Sequence, residues 1–236
     1  MKIEIKRGEE FVSFESALED ITLLKVLEAI KISQDNSLSF SSGCRSSVCG
    51  SCAVRVNNKE VLACSYKVQD GDRVEPLRNS EVLRDLVVNS DKAYAFNVAA
   101  KAWLSKEAAA QTLTQEDEKL NELQSDCILC SACYSACPVY SVNENFAGPF
   151  ALTRAWRYVS DKRESDVQAK LQTVQSSAIW DCTLCNECTV VCPQGISSKA
   201  DIEKLRMRSA QYGFMDPNFG NFGGGFGGGF DGSPVF

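Results

Sequence analysis

Cys127-Ile-Leu-Cys130-Ser-Ala-Cys133-Tyr-Ser-Ala-Cys137-Pro138 sets four cysteines apart by two, two and three residues and closes on proline. A second copy, Cys182-Thr-Leu-Cys185-Asn-Glu-Cys188-Thr-Val-Val-Cys192-Pro193, follows further along the chain. C-x2-C-x2-C-x3-C-P is a spacing of thiolates around iron-sulfur clusters, and where two such runs occur the fourth cysteine of each ligates the cluster held by the other. The pattern predicts one 4Fe-4S cluster on Cys127, Cys130, Cys133 and Cys192, and a second on Cys182, Cys185, Cys188 and Cys137. The two runs must then fold as one unit. Two intervening residues let a tight loop turn three thiolates inward, whereas three residues and a helical turn carry the fourth away. Pro138 and Pro193 stop that turn.

A third group lies upstream. Gly43-Cys44-Arg-Ser-Ser-Val-Cys49-Gly-Ser-Cys52, followed after Leu62-Ala63 by Cys64, has the C-x4-C-x2-C…C spacing of a 2Fe-2S centre. Ser46, Ser47, Gly50 and Ser51 suit a loop wrapped closely around such a group, with backbone N–H groups turned toward sulfur and Gly50 at the nearest approach. Arg45 reads as an exposed, solvated cation. All 12 cysteines are thereby assigned.

The composition narrows the remaining options. With 12 Cys and no His, the chain cannot form His-ligated haem, Rieske centres, mixed Cys/His zinc sites or any imidazole-dependent dyad or triad. Disulfides are disfavoured because cysteines at successive i, i+3 positions cannot all bridge one another; all-thiolate zinc sites are the other alternative. The net charge of −6 is spread without a basic block, which argues against nucleic acid. No run approaches the 18 or so apolar residues needed to span a bilayer, and the first residues have no apolar signal region, so membrane association is expected only through a partner.

The regular elements can be placed around the cysteines. Ile3, Ile5, Phe11-Val12 and Phe14 suggest two strands joined near Gly8, and Thr22 to Ile32 has helical apolar spacing with Asp20 or Thr22 as N-cap. Ala53 to Leu62 alternates around Asn57-Asn58, a hairpin that returns Cys64 to the cysteine loop. Asp72 to Pro76 reads as a strand, and Glu81 to Val88 as a helical or extended return. Composition changes across Ala93 to Leu113, a partly helical linker. Helices are expected from Pro149, around Asp166 to Val174, and over Ser198 to Gln211. The division is 1–100, 101–212, and a Gly/Phe-rich low-complexity tail over 213–236, read as disordered or as an arm laid on a partner.

In the order of its cysteine groups the chain resembles the iron-sulfur subunit of succinate dehydrogenase and fumarate reductase. Cys44-Arg45, Val48-Cys49-Gly50-Ser51-Cys52, Leu62-Ala63-Cys64, Arg84-Asp85-Leu86-Val87-Val88, the two Cys-Pro pairs and Gly148-Pro149 carry the resemblance, over about residues 1–210. It implies an α+β chain, with an N-terminal plant-type ferredoxin β-grasp domain followed by an all-α bacterial-ferredoxin-like domain. It also implies electron transfer with no catalytic residue of its own. The implied partners are a FAD-containing flavoprotein subunit and a membrane-anchor subunit through which quinone is reached. The chain would be peripheral on the membrane, on the cytoplasmic side, or on the periplasmic side if exported with a signal-bearing partner. Two departures from common members matter. Cys185 stands where those members lack a ligand and hold a 3Fe-4S cluster, and Val142 and Thr183 replace the Trp and His of the usual quinone pocket. The resemblance is therefore to the branch with a cysteine-rich anchor. Another flavin dehydrogenase or a thiol-coupled fumarate reductase is the alternative setting.

Overall fold

The computed structural model describes residues 1–105, 111–143 and 145–217. The expected tail from residue 218 on, and residues 106–110 of the expected linker, lie outside the described residues. Strands β1 (Lys2–Arg7) and β2 (Glu10–Glu15) pair antiparallel around Gly8. Ile3 and Ile5 point into the core, with Phe14 opposite Ile3, as their alternation predicts. Helix α1 (Leu23–Ser33) lays Leu23, Val26, Leu27 and Ile30 on the same core. Thr22 is its N-cap residue, but the Thr22 side chain makes no capping bond. The first amides of the helix donate instead to carbonyls beside Cys64, Leu24 N to Ala63 O at 2.8 Å and Leu23 N to Tyr66 O at 2.9 Å. The helix start is thus built into the cysteine region.

Strands β3 (Ala53–Val56) and β4 (Lys59–Leu62) form the expected hairpin. Asn57 and Asn58 both take positive φ, 48° and 69°, the conformation a two-residue turn with native twist requires. Strand β5 (Arg73–Glu75) completes a sheet of order β2-β1-β5-β3-β4, in which β1 and β5 run parallel. The stretch 81–88 is extended, as β6 (Val82–Arg84) and β7 (Val87–Val88). Asp85 decides against a helix there: at φ 48° it turns inward and accepts from Arg7 Nε at 3.0 Å and Ser39 N at 2.8 Å.

The rest of the chain is helical. Helix α2 (Asp91–Ala99) contributes Ala93, with Ala100 beyond it, to a second core, so the stretch expected as a linker begins inside that core. Short helices α3 (Gln115–Lys119) and α4 (Glu122–Ser125) follow, then α5 (Ala132–Ala136) within the first full cysteine run. Helix α6 (Pro149–Val159) is central, burying Phe150, Ala151, Leu152, Ala155 and Val159 against its neighbours. Around it stand α7 (Val167–Gln175), α8 (Glu187–Val190) in the second run, and α9 (Ser198–Gln211). Asp166 caps α7 by accepting from Ala169 N at 3.0 Å.

The two cores are joined by polar contacts that concentrate on α5. Asn79 Nδ2 donates to the carbonyls of Tyr134, Ser135 and Cys137 at 2.9, 3.2 and 3.2 Å, satisfying the C-terminal end of a helix too short to hold itself. Ser135 Oγ donates to the buried Glu60 carboxylate at 2.7 Å and accepts from Arg78 N at 2.9 Å. Glu60 also faces Arg55 Nε at 3.4 Å.

Gly148 leads into α6 at φ 84°, and a Cβ there would lie 1.9 Å from Tyr134 Cε1. The Tyr134 ring, edge-on to Phe150 at 4.5 Å and Tyr140 at 4.6 Å, occupies that space and donates its hydroxyl to Ala147 O. Gly148→Ala combines an unfavourable φ with overpacking, for a loss of roughly 2–5 kcal/mol. Thermal unfolding should show a clear fall in Tm; an unchanged Tm would mean that Tyr134 does not pack over Gly148.

Candidate metal centres

The first cysteine loop is shaped by alternating left-handed residues. Arg45, Ser47 and Gly50 have φ of 61°, 60° and 73°, which turns successive amides inward. Cys44 N donates to Cys49 Sγ at 3.3 Å, and Ser46 N and Val48 N to Cys44 Sγ at 3.3 and 3.4 Å. Cys52 is buried at the start of β3, and Cys64 returns beyond β4 with its sulfur 3.5 Å from Ser47 Oγ. A Cβ on Gly43 would come 2.9 Å from Cys49 Sγ, so only a bare backbone fits there. The Ser51 hydroxyl, with the Cys44 backbone, draws the Cys49 thiol down to about 6, while burial pushes Cys52 up to about 11. Arg45 is paired with Glu28 at 2.7 Å, at the surface where the sequence placed it.

The two later runs repeat one backbone. Leu129 and Leu184, each two residues after the first cysteine of its run, have φ of 54° and 55°; Ser131 and Asn186 have φ of 63° and 74°. A left-handed leucine is uncommon and costs about 1–2 kcal/mol. Its recurrence at equivalent positions marks strain held for the site. The cysteines then regroup across the runs. Cys127, Cys130, Cys133 and Cys192 line one cavity. Cys137, Cys182, Cys185 and Cys188 line another. Each cavity thus gathers three cysteines of one run and the fourth of the other.

The donor set suits polynuclear iron. Each set is four cysteine sulfurs with no other protein ligand type required, the donor set of an iron-sulfur cluster. Ser131 Oγ, which lines the first cavity, is buried without a hydrogen-bond partner, as a donor awaiting a sulfide or thiolate would be. Burial pushes the thiols of Cys130 and Cys188 up to about 11 and about 12, and that of Cys133 well above the ordinary thiol value. Iron must supply the charge that makes them thiolates, and its binding releases protons. Thr183 lines the second cavity, and Val142 is 84% exposed.

Several residues of these sites escaped the sequence reading. Arg206, on the charged face of α9, donates to Ile179 O and Cys182 O, its Nη2 at 2.8 and 2.7 Å, and stacks 5.4 Å from Trp180. It places a fixed cation beside the second cage. Asp201, one turn after the cavity-lining Ser198, is 1% exposed; its Oδ1 accepts from Gln124 Nε2 at 2.8 Å, Lys204 Nζ lies 3.8 Å away, and the Thr153 hydroxyl also acts on the carboxyl. Burial outweighs these contacts and raises its pKa to about 6.

Comparison with known proteins agrees with this geometry. The model of a 2Fe-2S iron-sulfur cluster binding domain matches residues 4–95, and that of a 4Fe-4S dicluster domain matches 123–196. The chain is 37% identical to the 8-methylmenaquinol:fumarate reductase iron-sulfur subunit of Wolinella succinogenes, over 84% of its own length and 67% of that protein's. It is 33% identical to the fumarate reductase iron-sulfur subunit of Mycobacterium tuberculosis, over 89% of its own length and 90% of that protein's. A chain of the Mycobacterium smegmatis Sdh1 complex in the apo form superposes with a TM-score of 0.81 at 23% identity, covering 92% of this chain and 97% of that one.

Two outcomes follow for these residues. A carboxyl whose pKa is raised on folding contributes stability below its unfolded value, near 3.8, and loses it as pH rises through about 6. Asp201→Asn should therefore stabilise the protein at pH 8, on the order of 2–3 kcal/mol, with the gain shrinking toward pH 5. Equal thermal shifts at both pH values would rule this out. Arg206→Gln should lower the midpoint potential of the centre in the second cage by about 60 mV, a tenfold change for one electron. Arg206→Lys should keep most of it. A redox titration giving the wild-type potential for the Gln variant would contradict the electrostatic role.

Proposed function

The chain belongs to the iron-sulfur subunits of succinate dehydrogenases and fumarate reductases, and from that membership we propose how its three cysteine sets divide the work of electron transfer. In this reading Cys44, Cys49, Cys52 and Cys64 hold a 2Fe-2S cluster, and Cys127, Cys130, Cys133 and Cys192 a 4Fe-4S cluster. Cys137, Cys182, Cys185 and Cys188 hold a second 4Fe-4S cluster. Bound there, the clusters supply one-electron carriers; the chain itself supplies spacing, burial and charge. The N-terminal domain is read as a β-grasp ferredoxin and the helical domain as an α-helical ferredoxin.

The observation that carries the proposal is the distribution of exposure. Cys44 of the first set and Cys185 of the third are exposed, whereas all four cysteines of the middle set are partly covered. A relay needs its terminal centres reachable and its middle one shielded. The first set would face a FAD-bearing subunit, and the third a membrane anchor, read as cysteine-rich, through which quinone is reached. Val142, just beyond the first run, and Val190, the last residue of α8 in the second, are 84% and 73% exposed and offer apolar contact. Among the described residues no helix is long and apolar enough to cross a membrane, so attachment to one falls to the partners. The Wolinella relative is named for quinol and fumarate. By extension the substrate class here is the fumarate/succinate pair, converted on the flavin subunit.

A complete second 4Fe-4S cluster is favoured over a 3Fe-4S cluster by the repeated backbone. Cys185 stands between left-handed Leu184 and Asn186 as Cys130 stands between Leu129 and Ser131, and it lines its cavity as Cys130 lines the first. Electron paramagnetic resonance (EPR) tests this, because an oxidised 3Fe-4S centre is paramagnetic and an oxidised 4Fe-4S centre of this kind is silent. Protein prepared without oxygen and then oxidised should give no strong signal, and Cys185→Ser should create one unless the serine oxygen ligates. A stoichiometric three-iron signal in the oxidised wild type would leave Cys185 outside the cluster.

A further inference from the structure

Gln194 follows the ligand pair Cys192-Pro193 and lines the first four-cysteine cavity. Its side chain leaves the helical domain: Nε2 donates to the carbonyl of Ser47, in the 2Fe-2S loop, at 3.0 Å. Among the described residues this is the one hydrogen bond from the Cys44–Cys52 loop to the second domain. Ser47 is itself fixed, by its left-handed φ of 60° and by its hydroxyl 3.5 Å from Cys64 Sγ. A short path of covalent and hydrogen bonds therefore runs from Cys64 through Ser47 and Gln194 to Cys192.

A second contact joins the 2Fe-2S loop to the same cage, through the first cysteine run. A Cβ on Gly50 would lie 2.8 Å from Cys130 Cβ and from Ile128 O, and 2.9 Å from Cys130 Cα. The backbone between Cys49 and Ser51 thus rests directly on a cysteine of the next cage, with no side chain between. Ile128 and Cys130 also pack against the N-terminal core. Gly50 gives steric contact without direction: the loop could still pivot on that point. The Gln194 bond supplies the second point that stops it.

We propose that Gln194 is a positioning residue that fixes the separation and orientation of the 2Fe-2S loop relative to the first four-cysteine cage. Electron exchange between two centres falls steeply with their separation, so a side chain that sets this gap acts on the rate without touching either centre. Spacing and composition do not single it out, since a Gln after Cys-Pro reads as a loop residue. The inference rests on the cages holding clusters as proposed above.

The test uses the full chain purified without oxygen. Iron and sulfide are counted first, so that a wild type lacking clusters would fail the functional reading and not this one. Microwave-power saturation of the reduced 2Fe-2S EPR signal is then compared with the neighbouring 4Fe-4S centre oxidised and reduced. In the wild type, reduction of the neighbour should speed relaxation and raise the half-saturation power several-fold. Gln194→Leu, which keeps the bulk and removes the donor, and Gln194→Glu, which sets an acceptor against the Ser47 carbonyl, should each lose at least half of that enhancement. Cluster content should stay at wild-type values in both variants and midpoint potentials in Gln194→Leu, while the negative charge of Gln194→Glu lowers them; Gln194→Lys, which restores a donor, should recover the enhancement although its charge raises the potential. Wild-type relaxation in both Leu and Glu variants overturns the proposal. So does loss of clusters from both, which would make Gln194 a structural residue.

Discussion

The exchange of Cys137 and Cys192 between the two runs is the constraint on which the helical domain depends. Each run places three sulfurs around its own cavity and sends its fourth into the other, so neither cage closes until both segments are in place. The intervening chain must then return Cys182 to within reach of Cys137, and α6 and α7 provide that return. Their buried faces form one core with Tyr134, Phe146 and Ile179, drawn from the borders of both runs. Packing and ligand geometry are therefore one problem, which is why a bare glycine at 148 and two leucines in an unfavourable conformation are tolerated.

A buried polar network helps to couple the N-terminal domain to this unit. Glu60 is buried and faces Arg55, Ser135 and, at 3.9 Å, Arg78. A buried carboxylate in such a network adds little net stability, but it is costly to separate, because each group left behind would be unpaired. An interface of this kind favours one orientation over sliding alternatives. For a chain whose metal-binding loops meet across that interface, a single orientation is the functional requirement.

Much of this was legible in the amino-acid sequence because it depends on local spacing. The cysteine intervals gave the three groups and the exchange of fourth members; alternation gave β1 and β2; Asn57-Asn58 gave the hairpin turn; Gly148-Pro149 gave the start of α6. What was not legible depends on contacts distant in sequence. Glu81 to Val88 could be read either way until Asp85 was found paired with Arg7 and Ser39. The small residues Ala93 and Ala100 look like linker and are core. Arg206 looks like one of many surface cations on α9, and only its carbonyl partners reveal it. The left-handed leucines leave no compositional trace, since leucine is a residue that no turn rule selects.

The Asn79 clamp has a consequence for how the molecule is made. Helix α5 has five residues, too few to persist alone, and its last carbonyls are satisfied by a side chain from the other domain. Synthesis proceeds from the N-terminus, and domains fold as units in that order. The segment bearing Asn79 leaves the ribosome before the cysteines it will organise, so the first domain acts as a template on which the second is laid down. A permuted chain with the helical half first would contain every contact described above and yet meet them in the wrong order, with its thiols exposed while they waited.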